Sequence, residues 1–557
     1  MKTNRQILIL LALFVVLMSI PWLVPHAGLV ALVALVPLLC AERIATMTGM
    51  KRFWIWHYGA FVVWNALTTW WVCEATVGGG FFAIFANALQ MSLVFGLFRL
   101  SRKSLQGVLP YIFLAALWVA WERFYCTWAE ISWPWLVLGN AFARTTSLIQ
   151  WYEYVGHLGG SLWIWAVNLG LFGLMVSLSE GSWERWNGKG RAAAALSLAS
   201  LIIVPVAASL VIYNTYEERS DKGQLEVVMA QSSFNPYQKR TELPQSAQNA
   251  QALDLFRGAL KDREAGLEYP SEPVLLLVPE TFTSDIVLND IPAFGQTWKD
   301  FQSFIADYPD ANMLFGASTY ELFFQRSAPS ILARPYGEGW IESHNSAIMT
   351  DATGRADVYH KSKLVVGTEL TPYPKLFVPI ENWLCKLLGE QGLMGHSIGQ
   401  DRQTPLLVKS RTENGEVRAE IPLAPVICYE SIYGEYCTEY VRNGAQAIAV
   451  MTNDGWWGDT PGYRQHFSYS RLRAIELRRD VARCANTGIT AFIDQKGDVL
   501  MQSTWWQPEA LRGKINLSDR KTFFAEHGDI AGRICLLVSA LLMLLCVVNL
   551  FAGLRRG

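Results

Sequence analysis

The stretch Val274-Leu-Leu-Leu-Val-Pro-Glu280-Thr281 places a carboxylate directly after a continuous apolar run. A run of four to eight apolar residues is typical of a strand that is buried on both faces. Similar short runs alternate with helical patterns in this part of the chain, which predicts an α/β layered fold. The predicted strands are Leu225–Ala230, Val274–Pro279, Asn312–Ala317, Ser346–Thr350, Pro425–Cys428, Ala445–Met451 and Thr490–Asp494. The predicted helices are 244–264, 296–307, 431–443 and 462–482.

Two further apolar runs carry an ionisable residue at their ends, Lys361 and Cys428. Functional groups are often found where a rigid strand meets a loop. Each residue also has an ordinary interpretation, since a carboxylate or lysine in this position commonly forms an ion pair and a cysteine is commonly buried and inert. A helix is predicted to begin just after Cys428, and a helix N-terminus favours the thiolate. Glu280 would then be the base that accepts the thiol proton.

The composition indicates that a membrane region accompanies this α/β region. The 557 residues are 51% hydrophobic and 17% charged, against about 25% charged in soluble domains. Charge is uneven, because 20 charged residues lie in 1–213 and 72 lie in 214–530. The net charge of −1 gives no indication of a nucleic-acid partner. We therefore expect three parts: a membrane domain over 1–213, a soluble domain over 214–530 and a C-terminal span with a short tail over 531–557.

Eight apolar runs are long enough to be interpreted as membrane spans. They lie at 7–24, 27–42, 53–73, 80–98, 107–121, 161–179, 192–213 and 531–553. If the chain crosses eight times, the clusters of Lys and Arg between the spans all fall on one side, as the positive-inside rule requires. Both termini are then predicted to be cytoplasmic, and 214–530 lies on the outer side.

Two segments of the membrane region have a second interpretation. Residues 1–24 resemble a cleaved signal peptide in length, although they lack an Ala-x-Ala-type site and are followed by more spans. The segment 122–160 contains an apolar stretch that is too short to cross, which predicts a re-entrant or interfacial segment on the outer face.

The order of Glu, Lys and Cys within Pro-Glu-Thr, Tyr-x-Lys-x-x-Leu and Cys-Tyr-Glu resembles the nitrilase, or carbon–nitrogen hydrolase, superfamily. The downstream stretch Thr452-Asn-Asp-Gly-Trp-Trp-Gly-Asp459 is more specific. With seven spans before the domain and one after it, the chain resembles the apolipoprotein N-acyltransferases, which are membrane-embedded members of that superfamily. The resemblance implies an αββα sandwich that faces the periplasm from the bacterial inner membrane.

The resemblance also implies a site. Its catalytic set maps onto Glu280, Lys361 and Cys428, and no cofactor is implied. By sequence alone Lys363 competes with Lys361, and the motif spacing selects Lys361. The supporting or substrate-binding residues that the resemblance implies are Glu369, Tyr429, Glu430, Asn453, Trp456 and Tyr237.

The activity that the resemblance implies is transfer of a fatty acyl chain from a phospholipid to the α-amine of an N-terminal diacylglyceryl-cysteine. The acceptor is an apolipoprotein, the carrier is a thioester on Cys428, and this is the last step of lipoprotein maturation. The protein is expected to act as a monomer. Two alternative functions are considered. The chain could be a membrane-tethered amidase that acts on a small soluble amide, or a non-enzymatic transport or assembly protein.

Other cysteines and histidines indicate less. A disulfide between Cys437 and Cys484 is conceivable on the outer side. The eight histidines show no His-Glu-x-x-His spacing and the cysteines no Cys-x-x-Cys spacing, so the sequence predicts no metal. His466 is interpreted as structural or as a site residue. The loop segment 378–400 contains Leu384, Leu387, Leu388, Leu393 and Met394. These residues either form the rim of an entrance for acyl chains or make the ordinary packing of a domain that rests on the helical bundle.

Overall fold

The protein is described by a computed structural model that covers residues 2–554 except 239–242, 262–271, 294, 389–391 and 412–415. The chain divides into two compact units. The first comprises Met1–Ala129, Trp133–Tyr216 and His527–Gly557, and the second comprises Glu130–Ser132 and Glu217–Glu526. The terminal arginines Arg555 and Arg556 lie outside the described residues.

The first unit is a bundle of apolar helices. Its helices are Lys2–Leu23, Ala31–Ala34, Val36–Met47, Phe53–Thr69, Val72–Ala75, Val77–Ser101, Leu109–Thr127, Tyr152–Ser179, Ser182–Arg185, Gly188–Thr215 and Ile530–Leu554. Every predicted span coincides with helix in this set. Within the described residues, six segments are long and apolar enough to cross a membrane: Thr3–Leu23, Gly28–Met47, Val77–Ser101, Tyr152–Ser179, Gly188–Thr215 and Ile530–Phe551. The multi-span helical region is therefore confirmed, and the count of eight crossings stays a prediction.

The segment 122–160 joins two of these helices through short 3₁₀ turns. The turns are Pro134–Leu136, Leu138–Phe142 and Thr146–Leu148, and the next helix begins at Tyr152, well before the predicted 161. The buried carboxylate of Glu122 accepts a hydrogen bond from the Leu138 backbone at 2.8 Å. Gly139 passes so close to the His157 carbonyl that a Cβ atom would lie 1.8 Å from it. This irregular backbone is thus held by a buried polar side chain and by close packing.

The second unit is built on two sheets. Its strands are β1 (Gln224–Gln231), β2 (Val274–Leu277), β3 (Thr283–Val287), β4 (Ala311–Phe323), β5 (Arg334–Tyr336), β6 (Gly339–Thr350), β7 (Ala356–His360), β8 (Leu406–Arg411), β9 (Val417–Ile427), β10 (Ala447–Thr452), β11 (Val481–Ala485), β12 (Ala491–Ile493), β13 (Val499–Gln502) and β14 (Glu509–Asn516). The first sheet has the order β14-β1-β2-β4-β6-β5, with β3 beside β4 and β7 beside β6. The second has the order β13-β12-β11-β10-β9-β8.

Alternating side chains of the first sheet fill two cores. Val227 and Met229 on β1 pack with Val426 and Ile448 of the second sheet, so one core lies between the sheets. Val228, on the opposite face, packs with aromatic residues of the helices outside the first sheet. This alternation follows from the period of two along a strand.

Helices cover the outer faces of both sheets. Between residues 217 and 530 they are Gln245–Ala259, Gln296–Asp307, Pro374–Leu388, Gly434–Arg442, Pro461–Leu477 and Phe523–His527. The first two pack on the first sheet, and Gly434–Arg442 and Pro461–Leu477 pack on the second. The predicted αββα sandwich is confirmed.

Two local predictions were wrong. The helix predicted over 462–482 ends at Leu477, because Arg478 adopts a left-handed backbone with φ +47° and residues from Val481 form β11. The segment 378–400 is not simply a loop, since Pro374–Leu388 is an α-helix. The predicted helix 244–264 ends at Ala259, and 262–264 lie outside the described residues.

The helix Pro374–Leu388 exposes an apolar face. Leu376, Ile380, Trp383 and Leu387 recur at helical spacing and are 43–68% exposed. Leu393 is exposed as well, while the Leu388 side chain lies outside the described residues. Apolar residues scattered singly are ordinary on a protein surface, but a continuous apolar face is typical of a binding or membrane-contacting surface.

Candidate active site

Glu280, Lys361 and Cys428 each follow the carboxyl end of a strand. Glu280 comes shortly after β2, Lys361 directly after β7 and Cys428 directly after β9. β2 runs parallel to β4, and β7 points the same way because β4–β6 and β6–β7 are both antiparallel pairs. The two residues from the first sheet therefore meet at one edge, and Cys428 reaches them from the facing sheet.

Glu280 and Lys361 form a buried ion pair. The Lys361 Nζ atom lies 2.9 Å from Glu280 Oε1, and both side chains are almost entirely buried. The other oxygen, Oε2, accepts a hydrogen bond from the Asn453 backbone at 3.2 Å. Gly316 makes room for the backbone at Glu280, because a Cβ there would lie 2.5 Å from the Glu280 Cα atom.

A second carboxylate, Glu369, shares the same lysine. Its Oε2 atom lies 3.0 Å from Lys361 Nζ, and it also accepts from the Val365 backbone at 2.8 Å. Burial alone would lower the pKa of Lys361, but the charges of Glu280 and Glu369 outweigh it and hold that pKa well above its usual range. Lys361 therefore carries its positive charge between two carboxylates.

Asn345 on β6 joins the two carboxylates. Its Nδ2 atom donates to Glu280 Oε1 at 2.8 Å and to Glu369 Oε1 at 2.7 Å. The Asn345 carbonyl also accepts from the Lys361 backbone at 2.8 Å. The sequence analysis missed this residue, because it lies in mid-strand and no local motif marks it.

Cys428 occupies a strained backbone position. Its φ is +49°, a left-handed conformation that costs a non-glycine residue about 1–3 kcal/mol. Burial raises the pKa of the Cys428 thiol well above its usual range, and the Glu280 charge adds to this effect while Lys361 opposes it. The resting residue is therefore a neutral thiol, contrary to the expectation that the following helix favours the thiolate. A 3₁₀ turn over Cys428–Ile432 precedes the helix Gly434–Arg442.

Glu430 ties the lysine loop to the cysteine loop. Its Oε1 atom accepts hydrogen bonds from Ser362 N, Tyr359 Oη and a second tyrosine hydroxyl, each at 2.7 Å. Its Oε2 atom accepts from Ile427 N at 2.8 Å. Ser362 follows Lys361 and Ile427 precedes Cys428, so one fully buried carboxylate sets the spacing of both. This contact explains the tyrosine of the Tyr-x-Lys motif, since Tyr359 donates a hydrogen bond to Glu430.

His466 supports the backbone of the cysteine. Its Nδ1 atom lies 2.8 Å from Asp454 Oδ1, and its Nε2 atom lies 3.1 Å from the Cys428 carbonyl oxygen. Arg483 donates to the other oxygen of Asp454 at 2.8 Å. Burial alone would raise the pKa of Asp454, but Arg483 and His466 outweigh it and lower that pKa. His466 thus contacts the Cys428 backbone carbonyl.

Three of the implied supporting residues surround this centre. Tyr237 Oη donates to the Trp456 carbonyl at 3.0 Å, and the two rings pack edge to face at 5.1 Å. Both side chains are exposed. Asn453 is buried, and its Nδ2 atom has no hydrogen-bond partner within the described part of the chain.

The residue after the cysteine binds the short segment Glu130–Ser132. Tyr429 Oη donates to the Ser132 carbonyl at 2.9 Å, and Ser132 Oγ lies 2.7 Å from Tyr433 Oη. Lys363, the rival of Lys361, lies with its Nζ atom 5.1 Å from the Tyr433 ring centroid. Part of the segment 122–160 therefore belongs to the α/β unit.

The conceivable disulfide between Cys437 and Cys484 does not form. Both are free thiols, and they contact different carbonyl groups: Cys437 Sγ lies 3.6 Å from Glu430 O, and Cys484 Sγ lies 3.4 Å from Leu277 O. A buried ion pair joins Arg473 Nε to Glu476 Oε2 at 2.9 Å.

Comparison with known proteins matches both parts of the chain. Residues 11–170 match the model of the apolipoprotein N-acyltransferase N-terminal domain, and residues 330–523 match the carbon-nitrogen hydrolase model. The second match contains Lys361 and Cys428 but begins after Glu280.

Relatives match over nearly the whole chain. Apolipoprotein N-acyltransferase of Chlorobaculum tepidum is 25% identical over 95% of this chain and 93% of its own length. The protein of the same name from Geobacter metallireducens is 24% identical over 93% of this chain and 91% of its own. Among solved structures, one match is Nit3 of Saccharomyces cerevisiae, a member of the nitrilase superfamily. It is 14% identical, and the match covers 53% of this chain and 90% of the Nit3 chain with a TM-score of 0.34.

Proposed function

The chain belongs to the apolipoprotein N-acyltransferase family, and we propose that it transfers a fatty acyl chain from a phospholipid to the α-amine of a diacylglyceryl-cysteine. The observation that carries this proposal is the buried Glu280–Lys361 ion pair, whose charges both act on the Cys428 thiol. The match of residues 11–170 favours this activity over the soluble amidase.

The first step forms a thioester. Because the resting thiol is neutral, the reaction needs a base, and Glu280 accepts the proton as sulfur attacks the acyl carbonyl of the phospholipid. The ester bond breaks, and the lysophospholipid oxygen leaves with the proton from Glu280. The acyl group then remains on Cys428.

Lys361 stabilises the oxyanion of the tetrahedral intermediate. An ammonium group has three N–H donors, and Glu280 and Glu369 engage two of them. We propose that the third donates to the oxyanion, and one such donor is typically worth about 10²–10³ in rate. The unpartnered Nδ2 of Asn453 offers a further donor for substrate.

The second step consumes the thioester. The α-amine of the acceptor attacks the acyl carbonyl, Glu280 takes one of its protons, and an amide bond forms as the thiol is restored. Since the first product leaves before the acceptor reacts, the kinetics are ping-pong. Glu430 acts through position, by holding the loops of Lys361 and Cys428 at fixed spacing.

The location of the chemistry follows from the substrates. Phospholipid and acceptor both reside in a bilayer, and the chain contains several apolar helices long enough to span one. We propose that the α/β unit faces the periplasm from the inner membrane with both termini in the cytoplasm, in accordance with the distribution of Lys and Arg. The exposed apolar face of the helix Pro374–Leu388 is proposed to contact lipid.

The test is to trap the intermediate. Full-length protein in phospholipid micelles is given acyl-labelled phospholipid and no acceptor. We expect a label on Cys428 that hydroxylamine removes, and release of that label to a diacylated lipopeptide added later. Cys428→Ala should carry no label. A wild-type protein that acylates the lipopeptide without labelled Cys428, or that hydrolyses a soluble amide without phospholipid, would refute the scheme.

A further inference from the structure

Two carboxylates and one imidazole meet on paired strands outside the proposed active site. Glu321 on β4 lies directly opposite Glu342 on β6, and the next residue on the same face of β6 is His344. One ligand atom from each side chain lies within 4.8 Å of the others. Asn345, which holds Glu280, points to the opposite face because side chains alternate along a strand.

The histidine is oriented as a metal ligand. Its Nδ1 atom lies 2.8 Å from the Ile398 carbonyl oxygen. A carbonyl can only accept, so Nδ1 carries a proton, and in this tautomer of the imidazole the lone pair is on Nε2. That Nε2 atom is buried and has no hydrogen-bond partner among the described residues. A backbone carbonyl bound to the far nitrogen is the usual arrangement around metal-bound histidines.

One of the two carboxylates, that of Glu342, is buried with an oxygen that no described residue satisfies. Glu342 is only 8% exposed, and its Oε1 atom likewise has no hydrogen-bond partner in the described ranges. Two like charges directly opposite on an antiparallel pair repel each other, and a buried unpaired carboxylate is costly. A divalent cation between them removes both penalties.

We propose that Glu321, Glu342 and His344 bind a divalent transition-metal ion that bridges β4 and β6. Mixed oxygen and imidazole ligands favour ions such as Zn²⁺ or Mn²⁺ over Mg²⁺ and Ca²⁺, which prefer all-oxygen sites. With metal–ligand distances of about 2.0–2.2 Å, two ligand atoms lie at most about 4.4 Å apart, so the three side chains need to close by only tenths of an ångström. The ion fixes the outer face of the strand that carries Asn345.

No metal was predicted from the sequence because these three ligands do not form a closely spaced motif. Here 21 positions separate the two glutamates, and only the register of β4 against β6 brings them together. The inference is independent of the acyl-transfer proposal, since it requires no substrate.

The test measures zinc on the folded protein. Full-length protein without a polyhistidine tag is dialysed against ZnCl₂ in detergent, passed through gel filtration and assayed by mass spectrometry for metal. We expect about one zinc per wild-type chain, and a dissociation constant raised about tenfold or more in His344→Gln and Glu342→Gln. Glu321→Gln should show the same loss, and its half-exposed position makes it the variant that tolerates substitution best.

His396→Gln is the matched control. His396 Nε2 is engaged by Glu381 at 2.8 Å, so its loss removes a histidine from the same unit without touching the cluster. This variant should bind zinc as the wild type does. Wild-type protein that retains no zinc, or a monodisperse Glu321→Gln or His344→Gln protein that retains it fully, would overturn the proposal.

Discussion

Replacing Asn345 by leucine removes the amide that joins Glu280 to Glu369 while keeping a side chain of similar volume. The two lost hydrogen bonds, at 2.8 and 2.7 Å, end on carboxylates. A hydrogen bond to a charged group contributes about 1.5–3 kcal/mol, so together they represent about 3–6 kcal/mol. Lys361 still holds both carboxylates, so we expect about half of this energy, about 1.5–3 kcal/mol, to be lost in the transition state.

That loss corresponds to a rate reduced about 10- to 150-fold, at about 1.4 kcal/mol per factor of ten. The assay is single-turnover acylation of Cys428 by labelled phospholipid without acceptor, which isolates the first step. The apparent KM for phospholipid should stay unchanged, because Asn345 is proposed to position the base and not to bind lipid.

Asn312→Leu provides the control for lost stability. Asn312 is buried on β4, and its side chain makes two short hydrogen bonds to the Lys409 backbone, at 2.8 and 2.9 Å, and a longer one to the Asp310 carbonyl at 3.5 Å. Its variant should unfold more easily, as measured by thermal denaturation in detergent, yet keep the acylation rate. If Asn345→Leu lost stability to the same extent and retained the wild-type rate, the positioning role would be refuted.

Three further predictions concern the charges and the apolar surface. Glu280→Gln should speed the modification of Cys428 by iodoacetamide below pH 9, because the Glu280 charge helps to raise the thiol pKa. The same variant should abolish acyl transfer, since it lacks the proposed base. Slower modification than in the wild type would contradict this. Burial raises the pKa of Asp480 to about 7, against about 3.9 when unfolded. Between about pH 4 and 7 the folded state binds one more proton than the unfolded state, so the free energy of unfolding falls as pH rises through that window, by up to about 4 kcal/mol. The difference in unfolding midpoint between wild type and Asp480→Asn should follow this trend. A difference that does not change with pH would argue against it. Leu376→Ser with Trp383→Ser should raise the KM for phospholipid several-fold with kcat retained, as measured in mixed micelles, whereas an unchanged KM would show that this face does not contact lipid.

Local patterns predicted an α/β layered fold and the apolar helices, because the periods of strands and helices appear in neighbouring residues. The αββα arrangement of the layers was implied by the family resemblance and not by these patterns. Glu280, Lys361 and Cys428 could be singled out as polar groups at the ends of apolar runs. Asn345 could not, since its role depends on the pairing of β6 with β4 and β7 and on no adjacent motif. The neutral state of the Cys428 thiol depends on burial, which the helix-terminus argument did not include.

The wrong helix end at Leu477 has a similar cause. Residues 478–482 are arginine, aspartate and small apolar residues, which are compatible with helix, and the pairing of β11 with β10 outweighs that preference. Likewise, the prediction of a loop over 378–400 did not take into account the helical spacing of Leu376, Ile380, Trp383 and Leu387, which belong to the helix Pro374–Leu388.

The carboxylate of Glu430 makes the two sheets interdependent. It accepts from Ser362 on the first sheet's side and from Ile427 on the second sheet's side. A slip of either sheet by one residue would turn the donor away and separate lysine from cysteine at once. Correct assembly of the sandwich therefore brings Lys361 and Cys428 together. Under the proposed mechanism, a chain that has packed in the wrong register would have no activated thiol and could not acylate indiscriminately before it is properly folded.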